Sequence, residues 1–378
     1  MKLKKADVKY CGVRPDVIKS AQPTLDWDAV YHFKRFLIDR YKVHVRKDVK
    51  GMPAPWTKNT ILQEFKFTNV RREHDRQTRY LIENISTNDN LTLEDKIVNT
   101  FLFRAWNNWS TVRDFGLPIQ ARYLYNPELK NKIRPKYAKL ATQEPERLWY
   151  NNAYNQGGTK CAWKFADADI RPVPYRFGDE KEMGDDRYPD YEPDIPLRPF
   201  HIAVWLKRGD IVNKLLKCKS QEECFNVIKS VRGFADFLAY QVFVDLTYIE
   251  DFPFSENEFT VAGPGCKKGL DYIFIDKGGM TYEECIFWLR DHINNSHDGG
   301  YNLFENDEID TVVLNKGYPS RTYDPERLFI DLPEYDRCVN VMSLENCMCE
   351  LSKYLRTVRN EGRPRNKYKH VNYKEENK

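Results

Sequence analysis

The strongest helical periodicity in the chain runs from Gln221 to Ile249, broken at Gly233, and it ends in the apolar run Gln241-Val242-Phe243-Val244-Asp245-Leu246-Thr247-Tyr248. A helix of that kind is buried, so other helices must surround it. The sequence supplies them. Val30, Phe33, Phe36, Leu37 and Tyr41 recur at helical spacing behind a cap at Thr24 or Asp26. After a loop through Gly51, Pro53 and Pro55, Trp56 and Thr57 introduce a short helix around Ile61 to Phe65. Helices are expected over 73–85 and 91–110. The second is entered through Thr92 and Asp95 and buries Ile97, Phe101, Ala105 and Trp109, while Thr100, Arg104 and Asn107 share another face. Further helices are expected over Tyr282 to Ile293 and from about Ser343 into a basic tail. Strands are few and short, with a signal around Thr311 to Leu314, so the fold class is mainly α.

From Asn151 to Arg198 periodicity gives way to a stretch rich in Gly, Pro and Asp, read as a long insert. The expected organisation is an N-terminal arm over 1–23, a body over 24–355 carrying the insert at about 151–198, and a basic tail over 356–378.

Composition removes several classes. No apolar run approaches the roughly 20 residues that span a bilayer, and Lys2, Lys4 and Lys5 are followed by no apolar core, so neither a membrane span nor a signal peptide is expected. Nine scattered cysteines argue against a disulfide framework and for a reducing compartment. Cys347 and Cys349 have the wrong spacing for a zinc knuckle, and Cys285, His292 and His297 are better read as dispersed groups than as a metal site. There is no G-x-x-x-x-G-K-[ST] loop, H-E-x-x-H, G-x-S-x-G or Rossmann fingerprint. Net charge is only +4, but Arg356, Arg359, Arg363, Arg365 and Lys367 face one acid, Glu361, between Lys353 and Lys369. Such a block either neutralises nucleic-acid phosphates or is a solvated tail.

Three constellations can carry chemistry. In Val261-Ala262-Gly263-Pro264-Gly265-Cys266-Lys267-Lys268-Gly269-Leu270, Gly263 and Gly265 allow a tight turn with N–H groups exposed at a helix start, the physics of a helix-hairpin-helix clamp on a DNA backbone. An ordinary glycine turn is the alternative, and Lys267 and Lys268 favour the clamp. Asp245, on a buried helix, must be paired, hydrogen-bonded or shifted in pKa, and is either a functional carboxylate or a structural acid bonded to an arginine. The segment Phe67 to Arg79 is dense in polar groups: Asp75 and Arg79 lie one turn apart, Arg71 and Arg72 suit phosphate or carboxylate, and Asn69 suits a base edge. A surface helix laced with ion pairs is the competing reading.

Together, Trp56-Thr57, FTNVRREHDRQTR at 67–79, Phe103-Arg104 with Asn107, Asp245-Leu246, AGPGCKKGL at 262–270, and Glu345-Asn346 with Cys349-Glu350, Lys353-Tyr354 and Gly362-Arg363 resemble the helical proteins of phage thymine hypermodification. That family includes the helical domain attached to 5-hydroxymethyluracil DNA kinases and the α-glutamyl/putrescinyl thymine pyrophosphorylases, or amino acid:DNA transferases. The resemblance runs from about residue 30 to 370; the 151–198 insert matches none of its motifs.

The resemblance implies a two-lobed helical fold like that of helix-hairpin-helix DNA glycosylases, working on double-stranded DNA in the cytoplasm of an infected bacterium. The expected reaction replaces the phosphate or pyrophosphate of an activated 5-hydroxymethyluracil by an amine, from an amino acid or polyamine co-substrate, on a flipped-out base. Magnesium accompanying the pyrophosphate and a separate DNA kinase as partner are compatible with that expectation. Arg71, Arg72 and Arg79 are assigned to the leaving pyrophosphate, with Asn69, Asp75 and Asn107 beside the substrate; Asp245, then Glu350, to proton acceptance; Lys353 or Arg104 to the donor's carboxylate. Gly263, Gly265, Lys267, Lys268, Arg363 and Arg365 are assigned to the DNA backbone. Two other readings stay open: a glycosylase, with Asp245 stabilising sugar cation character or Lys267 attacking the sugar, and a non-catalytic DNA-binding module serving a kinase.

Overall fold

Asp26 takes the cap that the periodicity calls for: its Oδ1 accepts from the N–H groups of Asp28 and Ala29, both at 3.1 Å, and the helix behind it buries Val30, Phe33, Phe36, Leu37 and Tyr41. The computed structural model describes residues 12–126, 129–144, 148–151, 199–231, 233–255, 257–294, 339–364 and 366–368. In chain order the helices among them are α1 (Pro15–Ser20), α2 (Trp27–His44), α3 (Thr60–Glu64), α4 (Arg76–Leu81), α5 (Leu93–Trp106), α6 (Trp109–Asp114), α7 (Ala121–Leu124), α8 (Leu129–Gln143), α9 (Phe200–Arg208), α10 (Ile211–Lys217), α11 (Gln221–Lys229), α12 (Asp236–Thr247), α13 (Pro264–Ile273), α14 (Tyr282–Asn294) and α15 (Val341–Val358). One short antiparallel ribbon joins β1 (Thr24–Leu25) to β2 (Phe274–Asp276). The molecule is therefore mainly helical. No helix among the described residues is long and apolar enough to cross a membrane.

The described chain divides into two compact units, a middle unit formed by 77–254 and an end unit formed by 12–76 with 255–368. In the middle unit α5 and α12 are the central helices. Every residue of α5 from Asp95 to Trp106 is buried, as is every residue of α12 from Leu238 to Thr247. The ring of Phe101 on α5 meets Phe234 edge-on at 5.2 Å, and Trp106 meets Phe200 at 5.1 Å. Thr92 and Asp95 form the reciprocal capping box their spacing predicts. The helix stops sooner than the periodicity predicts. Asn107 turns left-handed at φ 46°, which asparagine tolerates, and Trp109 opens α6 instead of extending α5.

The end unit is built on α2, α13, α14 and α15, with Phe33, Phe36, Leu270, Trp288, Leu344 and Leu351 in its core. Its N-terminal part is anchored. Ile18 on α1 is buried, and the Arg14 guanidinium donates twice to the Glu284 carboxylate, at 2.7 Å to each oxygen, with its backbone N–H adding a third bond at 2.8 Å. The 152–198 part of the expected insert, the strand signal at Thr311 to Leu314, His297 and Arg365 lie outside the described residues. His292 stacks on the Trp288 indole at 3.7 Å, and Cys285 is buried in the core.

Candidate active site

The last helix, α15, carries most of the end unit's chemistry. Asn340 caps it through a 2.7 Å bond from the Ser343 N–H to its Oδ1. Glu345, Cys349 and Lys353 follow at four-residue intervals, and Asn346 and Glu350 form a second row beside them. Helix α13 lies against this face because glycines let it: a Cβ on Gly269 would run into the Met348 carbonyl oxygen, and one on Gly265 into Cys349 Sγ. These two glycines are thus explained by helix-to-helix contact, and the Gly263-Pro264-Gly265 turn is itself the first turn of α13. The two amides at its entrance are already engaged. The Ala262 N–H donates to Glu283 Oε1 at 3.0 Å, and the Gly263 N–H to Glu345 Oε1 at 3.3 Å.

Glu345 is the carboxylate sequence reasoning passed over. Burial pushes its pKa up to about 7, against the Gly263 N–H and the Arg72 charge, which both favour the ionised form. Nearby, Asn346 donates to Thr68 Oγ1 at 2.8 Å, tying α15 to the segment that precedes the arginines. Glu350 is buried and takes a 2.6 Å bond from the Lys353 ammonium. Burial works against that ammonium, but the Glu350 charge and hydrogen bond hold the Lys353 pKa above its ordinary value. The chemistry offered here is one acid titrating near neutrality, a second acid already paired, and an arginine close enough to influence the first.

Within the 67–76 segment Phe67, Val70, Arg71, Glu73 and His74 are buried, whereas Thr68 and Arg76 are exposed. Arg71 and Glu73 form an internal ion pair, Nη2 to Oε1 at 2.9 Å, which offsets burial and holds Glu73 below the usual carboxylate range. Asn69 Nδ2 donates to the His74 carbonyl at 2.7 Å. Arg40 Nε donates to the Phe67 carbonyl at 3.1 Å, and the His44 and His74 rings stack at 4.1 Å. Burial lowers the His44 pKa to about 4 even though Asp48 Oδ2 lies 3.1 Å from its Nδ1. Asn69 Oδ1, Glu73 Oε2 and Arg40 Nη1 are buried without a hydrogen-bond partner among the described residues. Asp75 stands in extended conformation just before α4.

The remaining assigned residues are elsewhere. In the middle unit Arg104 grips Asp245 with both forks, Nε to Oδ2 at 2.5 Å and Nη2 to Oδ1 at 2.7 Å, and its Nη1 donates to Asn107 at 2.6 Å. Both oxygens of Asp245 are turned to one guanidinium, the geometry of a structural ion pair, so the role of proton acceptor does not follow for it. Nor is Arg104, fully engaged, placed to receive a donor's carboxylate. Arg79 belongs to the same unit and faces Glu83 at 3.9 Å. At the basic tail, Arg359 pairs with Asp26 at 3.0 Å and lies over the Tyr272 ring, and Gly362 packs under Arg356. Arg363 is exposed, as are Lys267 and Lys268.

Comparison with known proteins gives two matches. The family described as "5-hmdU DNA kinase, helical domain" matches residues 28–363. A 5-hmdU DNA kinase of Bacillus phage SP10 is 24% identical over 334 residues, which cover 84% of this chain and 43% of the relative. The chain thus spans less than half the length of that relative. No solved structure matches it.

Proposed function

The chain belongs to the family of the 5-hmdU DNA kinase helical domain, and from that premise we propose that it acts in thymine hypermodification as a transferase, placing an amine on 5-(pyro)phosphooxymethyluracil in DNA. The matched region is a helical domain and its sequence carries no G-x-x-x-x-G-K-[ST] motif; our reading puts substitution rather than phosphorylation on these residues. The resemblance implies a glycosylase-like body, which would present a flipped base.

The observation that carries the reading is the match of residues 28–363 to the 5-hmdU DNA kinase helical domain; within that region our choice of base is Glu345, which accepts from the Gly263 N–H at 3.3 Å and whose pKa is pushed up to about 7. An ammonium donor must lose a proton before it attacks, and a base with a pKa near the working pH does this best. In the proposed step the amine nitrogen forms a bond to the exocyclic methylene carbon. The carbon–oxygen bond breaks, pyrophosphate leaves with the electron pair, and the ammonium proton passes to Glu345. Arg72 offers charge to the leaving oxygens, with the paired Arg71 behind it. Glu350 sets the Lys353 ammonium in place, where it can meet a donor carboxylate. A magnesium ion would accompany the pyrophosphate oxygens, and no step depends on it.

Nucleoside mass spectrometry tests the reading directly. Purified protein is incubated with duplex DNA bearing 5-(pyrophosphooxymethyl)uracil and a pool of amino acids and polyamines. The expected result is a thymine carrying an added amine. Base loss would replace the transferase by a glycosylase, and an unchanged nucleoside despite tight DNA binding would replace it by an accessory of a separate kinase.

A further inference from the structure

One cluster in the end unit takes no part in this chemistry. After the turn that follows α15, residues 366–368 run along the 64–66 segment as a strap. The Lys66 N–H donates to the Asn366 carbonyl at 2.9 Å and the Tyr368 N–H to the Glu64 carbonyl at 3.1 Å, while Phe65 and Lys367 face each other in an antiparallel bridge. The strap carries the Tyr368 ring to 5.4 Å from the Trp56 indole. Cations surround the two rings. Lys47 Nζ lies 5.4 Å from the Trp56 centroid and 5.6 Å from that of Tyr368, and Lys66 Nζ lies 5.4 Å from Tyr368. Arg46, exposed, is moored by a 2.7 Å bond to the Trp56 carbonyl. The indole N–H is itself fixed, donating to the Met52 carbonyl at 2.7 Å.

Two acids share the neighbourhood. Glu64 pairs with Lys367 at 2.6 Å, and Asp48 Oδ1 lies 3.6 Å from Lys47. Arg46 and Lys66 add positive charge beyond those pairs, and Lys66 is exposed with no acidic partner among the described residues. The rings explain why these lysines are held: a cation resting on an aromatic face loses side-chain freedom while its remaining N–H groups stay in water. Fixed cations interleaved with partly exposed aromatic rings match one kind of ligand surface, a chain of phosphates separated by sugars.

We propose that the Trp56–Tyr368 strap is a contact for the phosphodiester backbone of DNA, away from the reacting base. It rests on the reading that the substrate is DNA, but not on the transfer step. Lys47, Lys66 and Arg46 meet phosphate oxygens, and the two rings pack against deoxyribose. The partner's sequence is irrelevant to this contact, so it adds affinity and orientation without selecting the modified base.

The test is the salt dependence of binding to a fluorescein-labelled DNA duplex, followed by anisotropy, for wild type, Lys66→Met, Lys47→Met/Lys66→Met and Tyr368→Ala. Each lost phosphate contact lowers the slope of log K against log salt by about one, so the double variant loses about two, with affinity down on the order of tenfold at moderate salt. Thermal melting verifies folding, and Lys66→Met, altering one exposed side chain, keeps the test sound if Tyr368→Ala loosens the strap. Unchanged slope and affinity in folded lysine variants would overturn the proposal. So would loss of binding to phosphatidylserine vesicles with duplex binding intact, which would make the strap a membrane contact. Amine transfer is scored separately: a wild type that binds DNA through the strap but adds no amine removes the transferase reading alone, whereas full transfer with an unaltered slope removes the strap alone.

Discussion

Two acids, Asp245 fully buried in the middle unit and Glu345 half-buried in the end unit, are held in opposite ways. Asp245 in the middle unit meets a guanidinium at both oxygens, 2.5 and 2.7 Å away. Glu345 in the end unit meets one backbone N–H at 3.3 Å and feels Arg72 only through its charge. Burial without full compensation leaves an acid that titrates near neutrality; burial with a bidentate partner leaves a structural tie. Desolvation alone therefore does not identify a base, and the pairing decides.

The largest effect that can break this contrast is on stability. Asp245→Asn leaves the Arg104 charge buried without its counter-ion, and the expected loss is about 3–5 kcal/mol, read as a shift of the urea midpoint. A change within a few tenths of a kcal/mol would mean that the pair is not structural. Next comes the acid response of the end unit. His44 titrates at about 4 when folded, below its ordinary 6.5, so the unfolded chain takes up the proton first as pH falls. The stability His44 contributes is present above 6.5 and is lost as pH drops toward 4, up to about 3 kcal/mol.

Glu345 has the opposite sign. Its folded pKa lies above the usual 4.5, so its contribution is present below 4.5 and is lost as pH rises through about 7. Between 4.5 and 6.5 the two slopes oppose each other. Replacing His44 by Gln should therefore leave stability that falls with rising pH, and Glu345→Gln should leave stability that rises; denaturant melts across this window read both signs. A smaller effect belongs to Gly269→Ala. Its new methyl meets the Met348 carbonyl and must push α13 from α15, costing about 1–3 kcal/mol and loosening the Gly263 contact to Glu345.

What the sequence made legible was local. The Thr92–Asp95 capping box and the Asp26 cap depend on neighbours three residues away or fewer, and both formed. The stop at Asn107 was missed because it serves Arg104, whose other partner lies 141 residues along the chain. Helix α8 went unread because its pattern is dominated by lysines and carries Pro135 inside it, and α9 and α10 because they are short. Glu345 stood inside a recognised motif, yet nothing local signals its environment: its bonded partner among the described residues, Gly263, is 82 residues away. The basic tail looked free because the acids that receive Arg359, Asp26 and Asp28, sit near the other end of the chain.

The central claim, that Glu345 and not Asp245 takes the proton, is tested most directly by the single-turnover rate of amine transfer against pH. The account predicts a wild-type rate that rises through about 7, and a Glu345→Gln protein that stays folded, loses this limb and is slower by about 100-fold or more. A limb that persists in Glu345→Gln at near wild-type rate, or that vanishes instead in a folded Asp245→Asn protein, would contradict it.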